Sequence, residues 1–494
     1  MASCEHLEVA AASRAPPAAV HVLVATSAEW TALLQSGHGS LDASDVAALR
    51  RLAALTRFEA KPGQSLPWSA GDGREGIVVG RAASGRKTAS LRSAAAQSAQ
   101  LVAAHRAWSL DWPDEDGRDS PEELVAAAEG VLLSGYRWRR GSGGTPASAA
   151  GPCTLVADLP AGAAAHAIER ASALVAGAVL TRDLVNAPAC DLGPSELADA
   201  AAAVARTRDF SAEVLRGAEV ARRGFRMVAA VGRGSARAPT VTVLRRGGDA
   251  GAPPIALVGK GVVFDSGGLD LKPADGMLLM RKDMAGAATI LGALEASARL
   301  NLRLPLLAVL PSAENLPGPD CYRPGDVLTA YDGTTVEIGN TDAEGRLLLA
   351  DALCFAREQG ARRLLDVATL TGAARVALGP DVPALFGTDE ELVSLVERES
   401  TASDERMWRL PLVDEYDRQL DTPFADVNHV SHDKRAGAIT AALFLRRFVG
   451  PTPWAHVDLY AWEDNGRPET PKGANGMGVR TLVRVLEHLA INRT

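Results

Sequence analysis

Histidine is the residue this chain withholds. Its nine histidines are His6, His21, His38, His105, His166, His429, His432, His456 and His488. None falls between residues 167 and 428, and no H-E-x-x-H run occurs anywhere. That excludes the zinc hydrolases that grip their ion through paired histidines on one helix. Cysteine is also sparse: Cys4, Cys153, Cys190, Cys321 and Cys354 are odd in number and scattered. No disulfide framework is expected, and the usage fits a reducing, cytoplasmic compartment. A basic surplus is missing too, since 52 Lys and Arg against 60 Asp and Glu leave a net charge of −8. That balance argues against a sequence-independent nucleic-acid surface. No uncharged apolar run is long enough to span a bilayer, so no membrane partner is expected. The opening Met-Ala-Ser-Cys-Glu-His-Leu-Glu has acidic residues and no basic region, so no secretory signal is expected.

What the chain does have is carboxylate at close spacing. Asn340-Thr341-Asp342-Ala343-Glu344-Gly345-Arg346-Leu347 sets Asp342, Glu344 and Arg346 two apart, ahead of an Ala/Leu-rich helix. Asp342 and Glu344 can share a side only on extended backbone, and crowded carboxylates repel unless a cation lies between them. A second run, residues 255–289, opens as a buried strand, Ile255–Val258, and breaks at Gly259-Lys260-Gly261. Phe264-Asp265-Ser266-Gly267-Gly268 reads as a turn, Lys272-Pro273 as extended chain, and Met284–Ser297 as a small-residue helix just after Asp283. Lys260, Asp265, Lys272 and Asp283 therefore fall on loops or element ends, where functional groups gather. Four carboxylates across the two runs could bind two divalent metals, some bridging. On residue type alone a solvated acidic loop remains open, Lys272 reads as a surface lysine, and Met280 as a core filler.

These runs resemble the leucyl aminopeptidase family. The likeness lies in Val258-Gly259-Lys260-Gly261 with Phe264-Asp265-Ser266-Gly267-Gly268 and Lys272, in Met280 with Asp283-Met284 and Gly286-Ala287-Ala288, and in Asn340–Leu347. It extends to Arg182–Pro188, Gly232–Ser235 and Asp366–Ala373, and covers roughly residues 170–494. The resemblance implies that Lys260, Asp265, Asp283 and Glu344 hold a tighter metal. Asp265, Asp342 (side chain and backbone carbonyl) and Glu344 would hold a looser one, with Asp265 and Glu344 bridging. It makes Lys272 and Arg346 the catalytic pair, and puts Met280, Thr369, Leu370 and Gly372 by the pocket for the substrate's first side chain.

The chemistry implied is coherent. Lys260 would ligate as a neutral amine, its pKa lowered by the adjacent dication. Two metals would activate a water near neutral pH. Lys272 would donate to the developing oxyanion. Arg346 would hold a bicarbonate through its planar fork. Manganese or zinc is expected first, with cobalt and magnesium also admitted. The function implied is release of N-terminal, leucine-like residues from short peptides, by a homohexamer with enclosed sites. A non-catalytic DNA- or partner-binding role, a di-metal amidase and a Cys-Gly-type dipeptidase are the competing expectations.

The fold expected is α/β in two parts. Residues 1–160 read as a small α/β domain serving assembly or access, 161–185 as a linking helix, and 186–494 as the catalytic domain. In the first part, strands are expected at Val20–Ala25, Gly76–Gly80 and Leu155–Leu159, and helices at Asp42–Leu55, Leu91–Ser109 and Glu122–Leu133. The Gly/Ser-rich stretch Arg139–Pro152 reads as a linker and Gly162–Val185 as the connecting helix. Catalytic-domain strands are expected at Val214–Leu215, Thr240–Leu244, Ile255–Val258, Leu304–Pro311, Leu364–Ala368 and His456–Leu459, with helices between most of them. That alternation implies a mostly parallel sheet covered on both faces, with the site at the strands' carboxyl ends. Gly80 to Thr88 mimics a phosphate-binding loop, but Arg86 stands where glycine must precede Lys87, so no nucleotide site is expected. His429 and His432 are expected to be solvated loop residues beside Asp433-Lys434-Arg435. Two departures from the family pattern are Tyr460-Ala461-Trp462, bulky where small residues are usual, and the charged Asp433–Arg435.

Overall fold

The structure is a computed structural model that describes residues 9–12, 20–36, 41, 43–69, 75–83, 86–102, 107–112, 120–140, 151–247 and 253–491. Most of the expected linker Arg139–Pro152, Asp42, and Ser84-Gly85 of the phosphate-loop mimic lie outside the described residues. The chain divides into two compact units, one of residues 1–176 with 463–473, the other of 177–462 with 474–494.

The first unit is built on a six-stranded sheet in the order Val9–Ala12, Cys153–Val156, Trp108–Asp111, Val20–Ala25, Glu75–Gly80, Ser65–Ser69. All neighbours are parallel except the last pair. Val22 and Val24 face a core with Leu91, Trp108 and Leu124, while Leu23 and Ala25 face Trp30 and Leu49. Alternation along one strand thus supplies both faces with apolar surface. The helix expected over Leu91–Ser109 is corrected: it spans Lys87–Leu101, and Trp108–Asp111 is a strand. Val102 turns extended (ψ 133°), and the next segment pairs with Val20–Ala25 and Cys153–Val156, far away in sequence. Pairing with two distant strands overrides a local helical pattern there.

The helix Ala161–Asn186 is long and apolar enough by length and composition to cross a membrane, and half of its most apolar stretch is buried inside the protein.

The second unit carries a nine-stranded sheet. Its path runs Trp408–Arg409, Ala384–Gly387, Trp454–Asp458, Arg363–Ala368, Ile255–Gly259, Leu306–Asn315, Thr240–Arg246, Ser211–Arg216, with Gly261–Asp265 also paired to Leu306–Asn315. The four central strands are mutually parallel and fully buried or nearly so, hence their near-continuous apolar runs. Ala256 and Val258 face the core that holds Leu348, Phe355 and Phe444. The helices Gly345–Glu358 and Gly437–Val449 pack together on that face, and Ala285–Arg299 with Val479–Ile491 forms another packed pair against the sheet.

Two further readings are revised. The strand expected at Leu304–Pro311 runs on to Asn315, because Gly261–Asp265 offers it a second parallel partner. Phe264 and Asp265, expected in a turn, end that partner strand, and the turn follows them.

Candidate active site

Both charged motifs converge at the carboxyl ends of the central strands. Lys260 sits in the break between Ile255–Gly259 and Gly261–Asp265, Asp265 closes the latter, and Thr369 directly follows Arg363–Ala368. Asp283 lies in a 3₁₀ turn, Met280–Met284, that runs straight into the helix Ala285–Arg299. Asp342 and Glu344 are not on extended backbone as expected. Thr341–Ala343 is a 3₁₀ turn, and Glu344 is helical (φ −68°, ψ −34°). The Asn340 side chain accepts from Asp342 N at 2.8 Å and so starts that turn. The two carboxylates converge through the turn rather than through a strand's alternation.

Lys260, Asp265, Lys272, Asp283, Asp342 and Glu344 line one cleft of about 150 Å³. Met280, Thr369, Leu370 and Gly372 line it as well. Arg346 does not; it lies buried behind the cleft, its Nη1 donating to the His429 carbonyl at 2.7 Å. Of the two departures, Tyr460 lines the cleft. Asp433 and Arg435 do not; they pair with each other at 2.7 Å.

Lys260 is the most buried lysine of the cleft. Its ammonium donates to Asp283 Oδ1 and the Thr369 carbonyl, both at 2.9 Å, and lies 2.9 Å from Glu344 Oε1. Burial opposes its charge, but the carboxylates of Asp283, Glu344 and Asp265 outweigh burial and hold its pKa above the ordinary lysine value. Lys272 lies 2.8 Å from Asp265 Oδ2 and 2.5 Å from Asp342 Oδ1. It too is raised, with burial opposing and Asp265 and Glu344 prevailing. Asp283 is pushed up to about 6, first by burial, and Asp265 is also raised by burial with Glu344 and Asp283 beside it. Close approach to Lys260 depends on Gly345, where a Cβ would stand 2.5 Å from Lys260 Cε and 2.6 Å from Nζ. Gly267 (φ +88°) takes the left-handed bend after Asp265.

Oxygen donors remain unspent. Asp265, Asp342 and Glu344 each bring a carboxylate oxygen within 4.8 Å of the others. Asp283 Oδ2, Asp342 Oδ1 and Glu344 Oε1 are buried and accept no well-directed hydrogen bond, although lysine ammonium groups lie close to each. Buried anionic oxygens without directed donors fit a hard divalent cation. The residues present therefore fit a metal-binding role.

Several supporting residues escape sequence reasoning. Asn315 Nδ2 donates to Asp265 Oδ1 at 2.8 Å and to the Thr341 carbonyl at 2.9 Å, stitching the two motif loops together. Tyr322 also donates to the Thr341 carbonyl, at 2.7 Å. Asp458 accepts from Leu370 N, Thr371 N and Thr371 Oγ1 at 2.9, 3.2 and 2.6 Å, and so shapes the loop beside the cleft. His429 is a correction. It is fully buried, accepting from Gly339 N through Nδ1 and reaching the Asn340 carbonyl from Nε2 at 2.9 Å, whereas His432 is exposed. Burial, then Arg346, pushes the His429 pKa down to about 3, so it is neutral near pH 7. It braces the loop that carries Asp342.

Residues 179–483 match the family model described as the cytosol aminopeptidase family, catalytic domain. A "probable cytosol aminopeptidase" of Syntrophotalea carbinolica is 45% identical over 375 residues, 74% of this chain and 75% of that protein. One from Methylobacterium radiotolerans is 37% identical over 466 residues, 90% of both. Among solved structures, the bottromycin maturation enzyme BotP in complex with Mn matches with a TM-score of 0.84 at 36% identity, covering 96% of this chain and 100% of that one. The cytosol aminopeptidase of Coxiella burnetii also reaches 0.84, at 32% identity, covering 97% and 99%.

Proposed function

The chain belongs to the cytosol aminopeptidase family and is a metal-dependent aminopeptidase acting on peptides, and from that premise we propose the roles its residues take. Two divalent ions, manganese or zinc, bind each subunit. Lys260, Asp265, Asp283 and Glu344 hold one, and Asp265, Asp342 and Glu344 hold the other. The observation that carries this is the set of buried carboxylate oxygens left without directed donors around a single cleft. When bound, the ions supply Lewis-acid polarisation and lower the pKa of water.

This chain's residues do the rest. Lys272 sits at the cleft between Asp265 and Asp342, placed to donate to the oxygen on which negative charge develops. Arg346 holds a bicarbonate that moves the proton. Support for that role is its buried Nε, which makes no hydrogen bond among the described residues. Burial lowers the Arg346 pKa to about 10, still far above neutrality, so the guanidinium stays charged for an anion. Met280, Thr369, Leu370 and Gly372 receive the first side chain.

We extend the proposal to a cytoplasmic homohexamer, in which the first unit serves assembly or access. Support for self-association is the exposure of Leu271, Leu278 and Val376, large apolar side chains that a partner copy would cover. Light scattering that returns a monomer would refute it.

The deciding assay is hydrolysis of Leu-p-nitroanilide beside its N-acetylated form, in chelator-stripped protein with manganese or zinc restored. Metal-dependent cleavage of the free amine alone is expected. Equal cleavage of both would make this an amidase, and cleavage of neither across free-amine dipeptides would end the catalytic reading.

A further inference from the structure

The cleft contains one charge that the proposed chemistry leaves idle. Arg375 lies in the helix Gly372–Leu378 and lines the cleft beside Leu370, Gly372 and Tyr460. Its guanidinium rests 4.1 Å from the centre of the Tyr460 ring. Among the described residues it makes no hydrogen bond and no ion pair. Every other charge lining the cleft has a partner. Lys260 and Lys272 face the metal carboxylates. Lys282 donates to the Tyr460 carbonyl at 2.8 Å, its ammonium 4.4 Å from the same ring. Asp458 spends both oxygens on Leu370 and Thr371. Arg375 and Lys282 also repel each other, while Asp283 and Asp458 act on Lys282 in the opposite sense.

Tyr460 gives this wall of the cleft its shape. The ring is buried, held by Lys282 below its carbonyl and followed by Ala461 in the left-handed region (φ 60°). A non-glycine residue seldom takes that backbone conformation, so the turn after Tyr460 is held by its surroundings. Contact with the Tyr460 ring holds the end of the exposed Arg375 side chain at the cleft and leaves its N–H fork open, which suits two-pronged recognition of a carboxylate.

We propose that Arg375, braced by Tyr460, is a specificity-determining residue that selects peptides whose first side chain is acidic, glutamate before leucine. The inference rests on the aminopeptidase reading above. A glutamate carboxylate would replace the missing partner of Arg375 while the residue's α-amine and carbonyl face the metal carboxylates. A leucine side chain would leave the guanidinium unpaired and meet the bulk of Tyr460.

The test uses the manganese-loaded enzyme and compares kcat/KM for Glu-, Gln- and Leu-p-nitroanilide. These substrates have no C-terminal carboxylate that Arg375 could bind instead. Wild type should prefer Glu over Gln by about tenfold or more, the range expected of one charge-assisted pair. Arg375→Met should bring the Glu/Gln ratio close to one, and Arg375→Lys should restore part of it. Glu/Gln parity in wild type, or an unchanged ratio in Arg375→Met, overturns the assignment even if Leu-p-nitroanilide is cleaved well. If Arg375 instead reads the far carboxylate of a dipeptide, Arg375→Met will lower Leu-Gly but not Leu-Gly-amide turnover with the Glu/Gln ratio near one, which also overturns it. Failure to cleave any of the three would refute the aminopeptidase reading itself.

Discussion

Lys260 and Lys272 are the same residue type set among the same carboxylates, yet they occupy different surroundings. The Lys260 side chain is 3% exposed, between Asp283 at 6% and Glu344 at 1%. Lys272 is 15% exposed and its partner Asp342 32%. The sealed corner can exchange its proton only for another cation, because its carboxylates cannot be left bare. The open side can give and take hydrogen bonds with whatever enters. Depth thus separates the two lysines, and under the proposed roles the sealed one suits a ligand and the open one a donor.

Breaking the open side should cost the most activity. Lys272→Ala should lower kcat by about a hundred- to a thousandfold, the usual loss for an oxyanion donor, while metal content by elemental analysis stays at two ions per subunit. Loss of metal together with activity would erase the distinction between the lysines. Breaking the sealed side should instead register as stability and stoichiometry. Lys260→Met should leave one ion per subunit and destabilise the metal-free protein by about 3–5 kcal/mol in urea melts, since it strands buried carboxylates. A neutral effect on stability would show that the corner tolerates its charges unpaired.

A smaller effect sharpens the comparison from behind the cleft. His429 has a folded pKa of about 3, below its unfolded value near 6.5. Its contribution is therefore fully present above about pH 6.5 and is lost as pH falls toward 3, because the unfolded chain takes up a proton that the fold refuses. The slope in that window is at most about 1.4 kcal/mol per pH unit. Melting of His429→Gln across the window should show a flatter acid limb than wild type. Smallest of all, Asp342→Asn should speed removal of the first ion by a chelator about tenfold and leave the second ion's rate unchanged. Equal acceleration of both would mean that the two positions do not differ in access.

Much of this was legible in the chain. The central strands occur close to where apolar runs suggested, because strands buried on both faces must be apolar throughout. The residues of the cleft were legible through their likeness to the leucyl aminopeptidase motifs, since residue type alone left Lys272 a surface lysine and Met280 a core filler. What stayed hidden depends on distant partners. Trp108–Asp111 becomes a strand only because Val20–Ala25 and Cys153–Val156 are there to receive it. His429 looked solvated beside Asp433-Lys434-Arg435, and only the fold shows that it faces inward with Val427 and Asn428 while Lys434 and Arg435 stay exposed. The 3₁₀ turn at Thr341–Ala343 had a local signal in Asn340, but two-residue spacing suggested a strand instead.

Gly345 has a consequence for how this chain can change over generations. Most of the helix it begins is apolar packing that tolerates exchange of one hydrophobic residue for another of similar volume. At position 345 the mildest possible change, a single methyl, would occupy the space of the Lys260 amine. Gly345→Ala would therefore force the end of the Lys260 side chain to shift, so drift at a residue with no chemistry of its own reaches a buried charge of the cleft.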